Sequence, residues 1–254
     1  LYVWTDTSLF TMRFVGSPFT FAYEQVGTNC GLIGKNAAVE VDGAAYWMSD
    51  NGFFRFTGKL ESMDCFVEDY VYDDLNTTSN QFIYCGINNL FGEVMWFYPT
   101  SASNVVDRCV IYSYLDSTAN RPIWFTNAST TFPRSAWIDS AIFGLPHATQ
   151  YDAGTDASFD VTGNTDGTTI YYEHETGVNQ IKGGVTTAIA ANIISGDFDI
   201  TQDSKEGITF RGDGEHIMRV SRFLPDFITQ AGNTIVELDL RNFPNQAAAS
   251  STLG

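Results

Sequence analysis

Aromatic strand-turn-strand units recur along this chain, and they limit its fold more than any other feature. Residues 1–4 (Leu-Tyr-Val-Trp), a polar turn, residues 9–14 and Gly16 form the first unit. Residues 44–48, the turn Asp50-Asn51-Gly52, residues 53–56 and Gly58 form the second, and residues 92–98 open a third. Trp4, Trp47 and Trp96 fall at matching places, 43 and then 49 residues apart. A period of roughly 40–50 residues with several strands in each is how a β-propeller blade reads in sequence. Each blade buries its flat faces against its neighbours, so a large aromatic should return once per blade. The expected fold is all-β, made of propeller-like antiparallel blades.

Further strands are expected over 37–41, 106–115, 168–172, 196–200, 217–223 and 234–240, where apolar residues alternate or β-branched residues cluster. Asp42-Gly43 between two such runs is a type I′ hairpin signal. Residues 65–76 differ. Phe66, Val67, Tyr70, Val71 and Leu75 recur at helical spacing, with Glu68, Asp69, Asp73 and Asp74 opposite, which predicts a short amphipathic helix of about three turns plugging a gap between blades. Residues 153–167 are rich in Gly, Asp and Thr and read as a surface loop. Blades are expected over 1–190, and closing strands or a second, smaller β domain such as a sandwich over 191–254. Leu1 already lies inside a strand, so both ends are expected to continue into a longer polypeptide.

Charge and cysteine content exclude several classes of function. Lys and Arg total 13 against 30 Asp and Glu, a formal charge of −17 spread along the chain. Such a surface repels nucleic acid and anionic membranes at long range. No apolar run reaches the length of about 18 residues that a membrane helix needs. Cys30, Cys65, Cys85 and Cys109 are widely spaced with no C-x-x-C pair, so they read as free thiols rather than a zinc or redox centre. Asn76-Thr-Thr and Asn127-Ala-Ser fit the glycosylation pattern, which arises often by chance.

Catalytic signals are sparse. The histidines are His147, His174 and His216. In an extended strand Glu173 and Glu175 point to one face and His174 to the other, so that tripeptide makes no compact metal triad. Asn164-Thr165-Asp166-Gly167, after Asp152, Asp156 and Asp160, resembles part of a calcium loop, but Thr162 stands where the first Asp ligand belongs, and an acidic turn is the simpler reading. With so many carboxylates, the proximity of two carries no information about glycosidase chemistry. Ser49-Asp-Asn-Gly-Phe-Phe54 departs from an Asp-box order, and no P-loop, G-x-G-x-x-G or G-x-S-x-G occurs. The expectation is a protein that is not an enzyme, with no catalytic, cofactor or metal residues to name.

Eight phrases together resemble the tail tube, nozzle or DNA-stabilisation proteins of short-tailed bacteriophages. They are Trp4-Thr-Asp-Thr-Ser-Leu-Phe-Thr-Met12, Gly34-Lys-Asn-Ala-Ala-Val39, Ala45-Tyr-Trp-Met48, Asp107-Arg-Cys-Val-Ile-Tyr112, Arg134-Ser-Ala-Trp-Ile-Asp139, Tyr172-Glu-His-Glu-Thr-Gly177, Ser195-Gly-Asp-Phe-Asp-Ile200 and Arg241-Asn-Phe-Pro244. The resemblance spans nearly the whole chain and implies a β-propeller subunit of a homo-oligomeric ring, usually sixfold, in the virion tail. Its partners would be other tail proteins, with DNA passing through and not held. The resemblance carries no catalytic residue. Two other classes stay open. One is a glycan-binding or glycan-cleaving propeller at a tail tip or cell surface, for which Trp124, Trp137, Tyr151, Tyr171 or Tyr172 would gather at an open pocket beside two carboxylates. The other is an all-β scaffold that binds a protein through an edge strand or through the helix at 65–76.

Overall fold

Alternating apolar residues, broken by Gly- and Asn-containing turns, fold this chain into successive antiparallel hairpins. The computed structural model describes residues 1–118, 121–127, 133–151, 169–182, 185–189, 220, 224, 234–240 and 249–253. The protein is all-β, with small antiparallel sheets, none of which closes on itself among the described residues. The first sheet has the order β1 (Tyr2–Trp4), β2 (Ser8–Phe14), β3 (Phe21–Thr28). The second runs β4 (Ala38–Val41), β5 (Ala44–Ser49), β6 (Gly52–Phe56), β7 (Leu60–Met63), and the third runs β8 (Tyr84–Asn88), β9 (Glu93–Tyr98), β10 (Arg108–Ser113), β11 (Trp124–Thr126). These two four-stranded meanders are blade-like. The fourth sheet is β12 (Ala136–Ile138), β13 (His147–Tyr151), β14 (Thr169–Glu173), and β15 (Asn179–Lys182) pairs with β16 (Val185–Ala188) as a separate hairpin. All of these lie in a compact unit, Leu1–Ala190. In a second unit, Ala191–Gly254, β17 (Val236–Leu240) pairs with β18 (Ala249–Leu253). The strand expected at 196–200, that at 217–223 apart from Val220, and the loop at 153–167 lie outside the described residues.

Strand alternation decides how the first four sheets pack. Along β5, Tyr46 and Met48 face one way and Ala45 and Trp47 the other, and every residue of the strand is buried. Such a strand must be covered on both faces. Trp47, Ala45, Phe56 and Leu9 form one core, joined by Tyr2 and Trp4, between the first and second sheets. Tyr46, Met48, Phe53, Val94, Trp96, Tyr98, Val110 and Tyr112 form the largest, between the second and third. Met95, Phe97 and Cys109 form the next, with Trp137 of the fourth sheet packed on it. The first strands of successive sheets adjoin, β4 beside β8 and β8 beside β12. Asn36, just before β4, bridges Tyr84 in parallel, and its carbonyl accepts the Cys85 N–H at 2.8 Å.

One tryptophan seals each of the three interfaces. Trp47 Nε1 donates to Cys30 O at 2.9 Å, Trp96 Nε1 to Ala37 O at 3.1 Å, and Trp137 Nε1 to Ile87 O at 2.8 Å. In each case the indole belongs to the following sheet and the carbonyl to chain before it. Trp47 and Trp96 sit in the second strands of matching sheets, as their spacing suggests. Trp4 lies across the first interface from Trp47, with ring centroids 5.6 Å apart, and its own Nε1 is buried with no partner among the described residues. The third member of the bonded series is Trp137.

Gly86 leaves room for that third contact. A Cβ there would stand 2.8 Å from Trp137 Cδ1 and 3.1 Å from Cγ. Gly86→Ala is therefore expected to displace the indole and lower stability by about 1.5 kcal/mol. Urea unfolding checks this. An unchanged midpoint would mean that the fourth sheet does not press on the third at this point.

The helix expected over 65–76 is shorter. It spans α1 (Glu68–Tyr72), followed by a 3-10 helix, Thr77–Phe82. Residues 74–76 leave the helix to bond like a strand: Asn76 N–H donates to Pro99 O at 3.0 Å, Ser101 N–H to Asp74 O at 2.6 Å, and Leu75 bridges Thr100. Asn76 Oδ1 then caps the 3-10 helix by accepting Thr78 N–H at 3.0 Å. Val71 and Leu75 still enter the large core. Tyr72 Oη donates to Ser49 O at 2.6 Å, tying the helix to the β5–β6 turn. The Asp42-Gly43 turn has φ of 51° and 80°, as a type I′ hairpin requires.

Candidate functional site

Among the described residues, the outward faces of the first and fourth sheets both carry exposed apolar side chains. On the first sheet, alternation along β2 puts Leu9 inward and Phe10, Met12 and Phe14 outward. Met12 pairs with Tyr23 and Phe14 with Phe21 across the β2–β3 register. Phe14 is 72% exposed and Tyr23 64%, and the Phe14 and Phe21 rings meet edge to face at 5.9 Å. In the β2–β3 turn Phe19 is also exposed. Exposed aromatics grouped on one sheet face mark an interaction surface more often than scattered ones do.

On the fourth sheet the outward residues include Ile138, His147 and Tyr171. They line a shallow depression of about 100 Å³ with Ala136, Thr149 and an edge of Trp137. Tyr171 Oη hydrogen-bonds His147 Nδ1, the two rings stack with centroids 5.3 Å apart, and Phe143 meets His147 edge-on at 4.9 Å. Among the described residues, no carboxylate lines the depression.

The inward face of the same sheet carries a polar network. Arg134 Nε donates to His174 Nε2 at 3.0 Å, and its guanidinium lies over the Tyr172 ring at 3.9 Å. Tyr172 Oη donates to Gln150 Oε1 at 3.0 Å. His174 accepts at Nε2, so its ring is the neutral tautomer with the proton on Nδ1. Burial first, then the charges of Arg134 and His147, pushes its pKa down to about 4. The same burial lowers the Arg134 pKa.

Of the aromatics singled out from sequence, Trp137 and Tyr171 meet at the depression, while Tyr172 turns to the other face. Trp124 packs in the large core, 4.9 Å from Phe53 and from Tyr112 and 5.9 Å from Trp96, and donates to Asp64 O at 2.8 Å. Tyr151 ends β13, and its side chain is outside what is described. His216 and the acidic loop with Asp152, Asp156, Asp160 and Asp166 also lie outside the described residues. All four cysteines are free. Burial pushes the Cys65 thiol up to about 12 and holds Cys85 and Cys109 well above the ordinary thiol range, which makes them poor nucleophiles. The amides of both glycosylation patterns are engaged: Asn76 Nδ2 donates to Ser103 O at 2.7 Å, and Asn127 Oδ1 accepts Cys109 N–H at 2.7 Å. Among the described residues, no three His, Cys, Asp or Glu side chains gather as a metal-ligand group. None of the helices there is long and apolar enough to cross a membrane.

The open faces are what the sequence reading missed. Their signal was present in the outward alternation of Phe10, Met12, Phe14, Phe21 and Tyr23, on a sheet that also sends Tyr2, Trp4 and Leu9 into the core. No family model matches this chain, and no curated protein does.

Proposed function

We propose that this chain is a structural subunit of a bacteriophage virion, forming part of the short tail through which DNA is retained and ejected. The observation that supports the reading is the stack of blade-like sheets with an apolar face open at each end. Such a stack is an unfinished wall, completed by further sheets. Head-to-tail contacts of this heterologous kind close into rings when the rotation allows. The chain's −17 charge suits a conduit, because basic side chains on a bore would hold phosphates through counterion release. On this reading the work is wall-building and not bond chemistry, acidic side chains face the bore, and the neighbours are other tail proteins.

Native mass spectrometry with electron microscopy tests it. The expected result is a concentration-dependent ring, sixfold in the particle, that Phe14→Glu with Tyr23→Glu disperses. A monomer at all concentrations, unaffected by those substitutions and absent from a symmetry axis of any particle, would overturn it. A bore lined by Lys and Arg would overturn the electrostatic part alone.

The exposed Tyr171–His147–Phe143 platform favours one second reading, a glycan-binding face on the same tail or at a cell surface, since sugar rings stack on aromatic planes. Tyr171→Ala would then abolish retention on a glycan array without changing the oligomeric state.

A further inference from the structure

Among the described residues the first sheet has three strands where the second and third have four, and the place left empty is that of the first strand. Trp4 of β1 packs on Trp47 of β5, and a Cβ on Gly27 of β3 would meet the Leu60 side chain of β7. So β1 and β3 lie over the second and fourth strands of the next sheet. Its first strand, β4, is adjoined by β8 on one side, and no strand of the first sheet adjoins it in that way on the other. The edge left open belongs to β1. Leu1 and Met12 exchange both backbone bonds, and Thr5 N–H donates to Ser8 O at 2.9 Å. Alternate residues of an antiparallel strand turn their backbone groups to opposite sides. The N–H and C=O groups of Tyr2 and Trp4 therefore face away from β2, where they meet no partner among the described residues. Of the five tryptophans, Trp4 is also the one whose indole N–H lacks an acceptor there.

The chain also holds a hairpin without a sheet. Among the described residues β15 and β16 pair only with each other, and two strands alone are marginal in water. Ile181 of β15 is 71% exposed and Val185 of β16 is 63% exposed. Five residues, His174 to Val178, join the hairpin to β14, so it stays within about 20 Å of the fourth sheet. We propose that the β15–β16 hairpin of a second copy adds to the β1 edge through β16, antiparallel, and completes the first sheet. Size and charge both suit this occupant. The residues opposite Trp47 and Trp96 on the first strands of their sheets are small, Ala38 and Cys85, and β16 offers Thr186 and Ala188. Residues 176–196 carry Lys182 and no acidic side chain, so they bring no further carboxylate to a chain of −17. Main-chain bonds supply the affinity of such strand addition. The contact rests on the reading that copies stack end to end, with the fourth-sheet end of one meeting the first-sheet end of the next.

Hydrogen exchange of the full chain at low and high protein concentration tests it. At about ten times the dissociation constant of the contact, the edge amides of Tyr2 and Trp4 should exchange about tenfold more slowly than in the monomer. Ile181→Asp with Val185→Asp alters two exposed side chains. It should leave the circular dichroism of the monomer unchanged and abolish that protection. Assemblies in which the β1 amides exchange as fast as in the monomer would overturn this contact and leave the ring reading standing. A chain that stays monomeric at every concentration would overturn both. Protection that does not depend on concentration would place the added strand within one copy, and protection that survives in the double variant would assign it to another segment. Either result overturns the proposal.

Discussion

Trp96→Ala is expected to lower the unfolding free energy by about 4 kcal/mol, a large share of the 5–15 kcal/mol that holds an ordinary domain together. Trp96 is fully buried at the centre of the largest core. Its ring lies 4.9 Å from Phe53 and 5.9 Å from Trp124, so the second and third sheets both lose contact when it goes. The loss combines transfer of a large aromatic with a cavity that the rings of Phe53 and Trp124 cannot collapse to fill. Trp96→Phe separates the parts. It keeps most of the apolar surface but strips Ala37 O of its donor, and should cost about 1–2 kcal/mol. Urea unfolding of both variants checks the pair. Equal costs would mean that the cross-sheet hydrogen bond, and not the packing, holds this interface.

Acid should act through His174. Its folded pKa of about 4 lies below the ordinary value of 6.5, so the unfolded chain takes up the proton first. The neutral ring's contribution is whole above about pH 6.5 and is lost as the pH falls through about 4. The physical event is two donors meeting. A proton on Nε2 points at Arg134 Nε, and a second cation arrives beside a guanidinium already stacked on Tyr172. The ring is partly exposed, so screening leaves the effect at about 2 kcal/mol. Glu68 and Glu93 oppose it. Burial raises both in the fold, so each stabilises on acidification and loses that contribution as the pH rises through its folded pKa. Relief of the chain's own negative repulsion works in the same direction. The difference between unmodified protein and His174→Gln, which keeps an acceptor for Arg134 but cannot titrate, isolates the histidine. Melting temperatures measured from pH 7 to pH 4 should converge as the pH falls. Parallel curves would show that the ring is already charged, or already free, in the fold.

Both predictions depend on sheets packed face to face, and much of that packing was legible beforehand. Trp47 and Trp96 return at one place in two hairpins because each such strand buries a ring against its neighbour. The turn at Asp42-Gly43 was legible because positive φ at two successive residues selects those residue types. The helix at 65–76 was legible in kind but not in length. Its apolar spacing is local, but what ends it is Pro99, Thr100 and Ser101, which take up the backbone groups of residues 74–76.

By itself, then, the sequence settled the all-β class, the blade-like hairpins and the apolar alternation on both faces of the middle strands, because these follow from a period of two along the backbone and from turn stereochemistry. Tertiary structure alone decided that Trp137 and not Trp4 joins the bonded series, that Trp124 belongs to the core, and that Glu93 and Glu175 share one amide. Those outcomes rest on contacts between residues 50, 60 and 87 positions apart. At such separations no local periodicity relates two side chains. Their meeting is set by which sheet faces lie against each other once the chain has stacked.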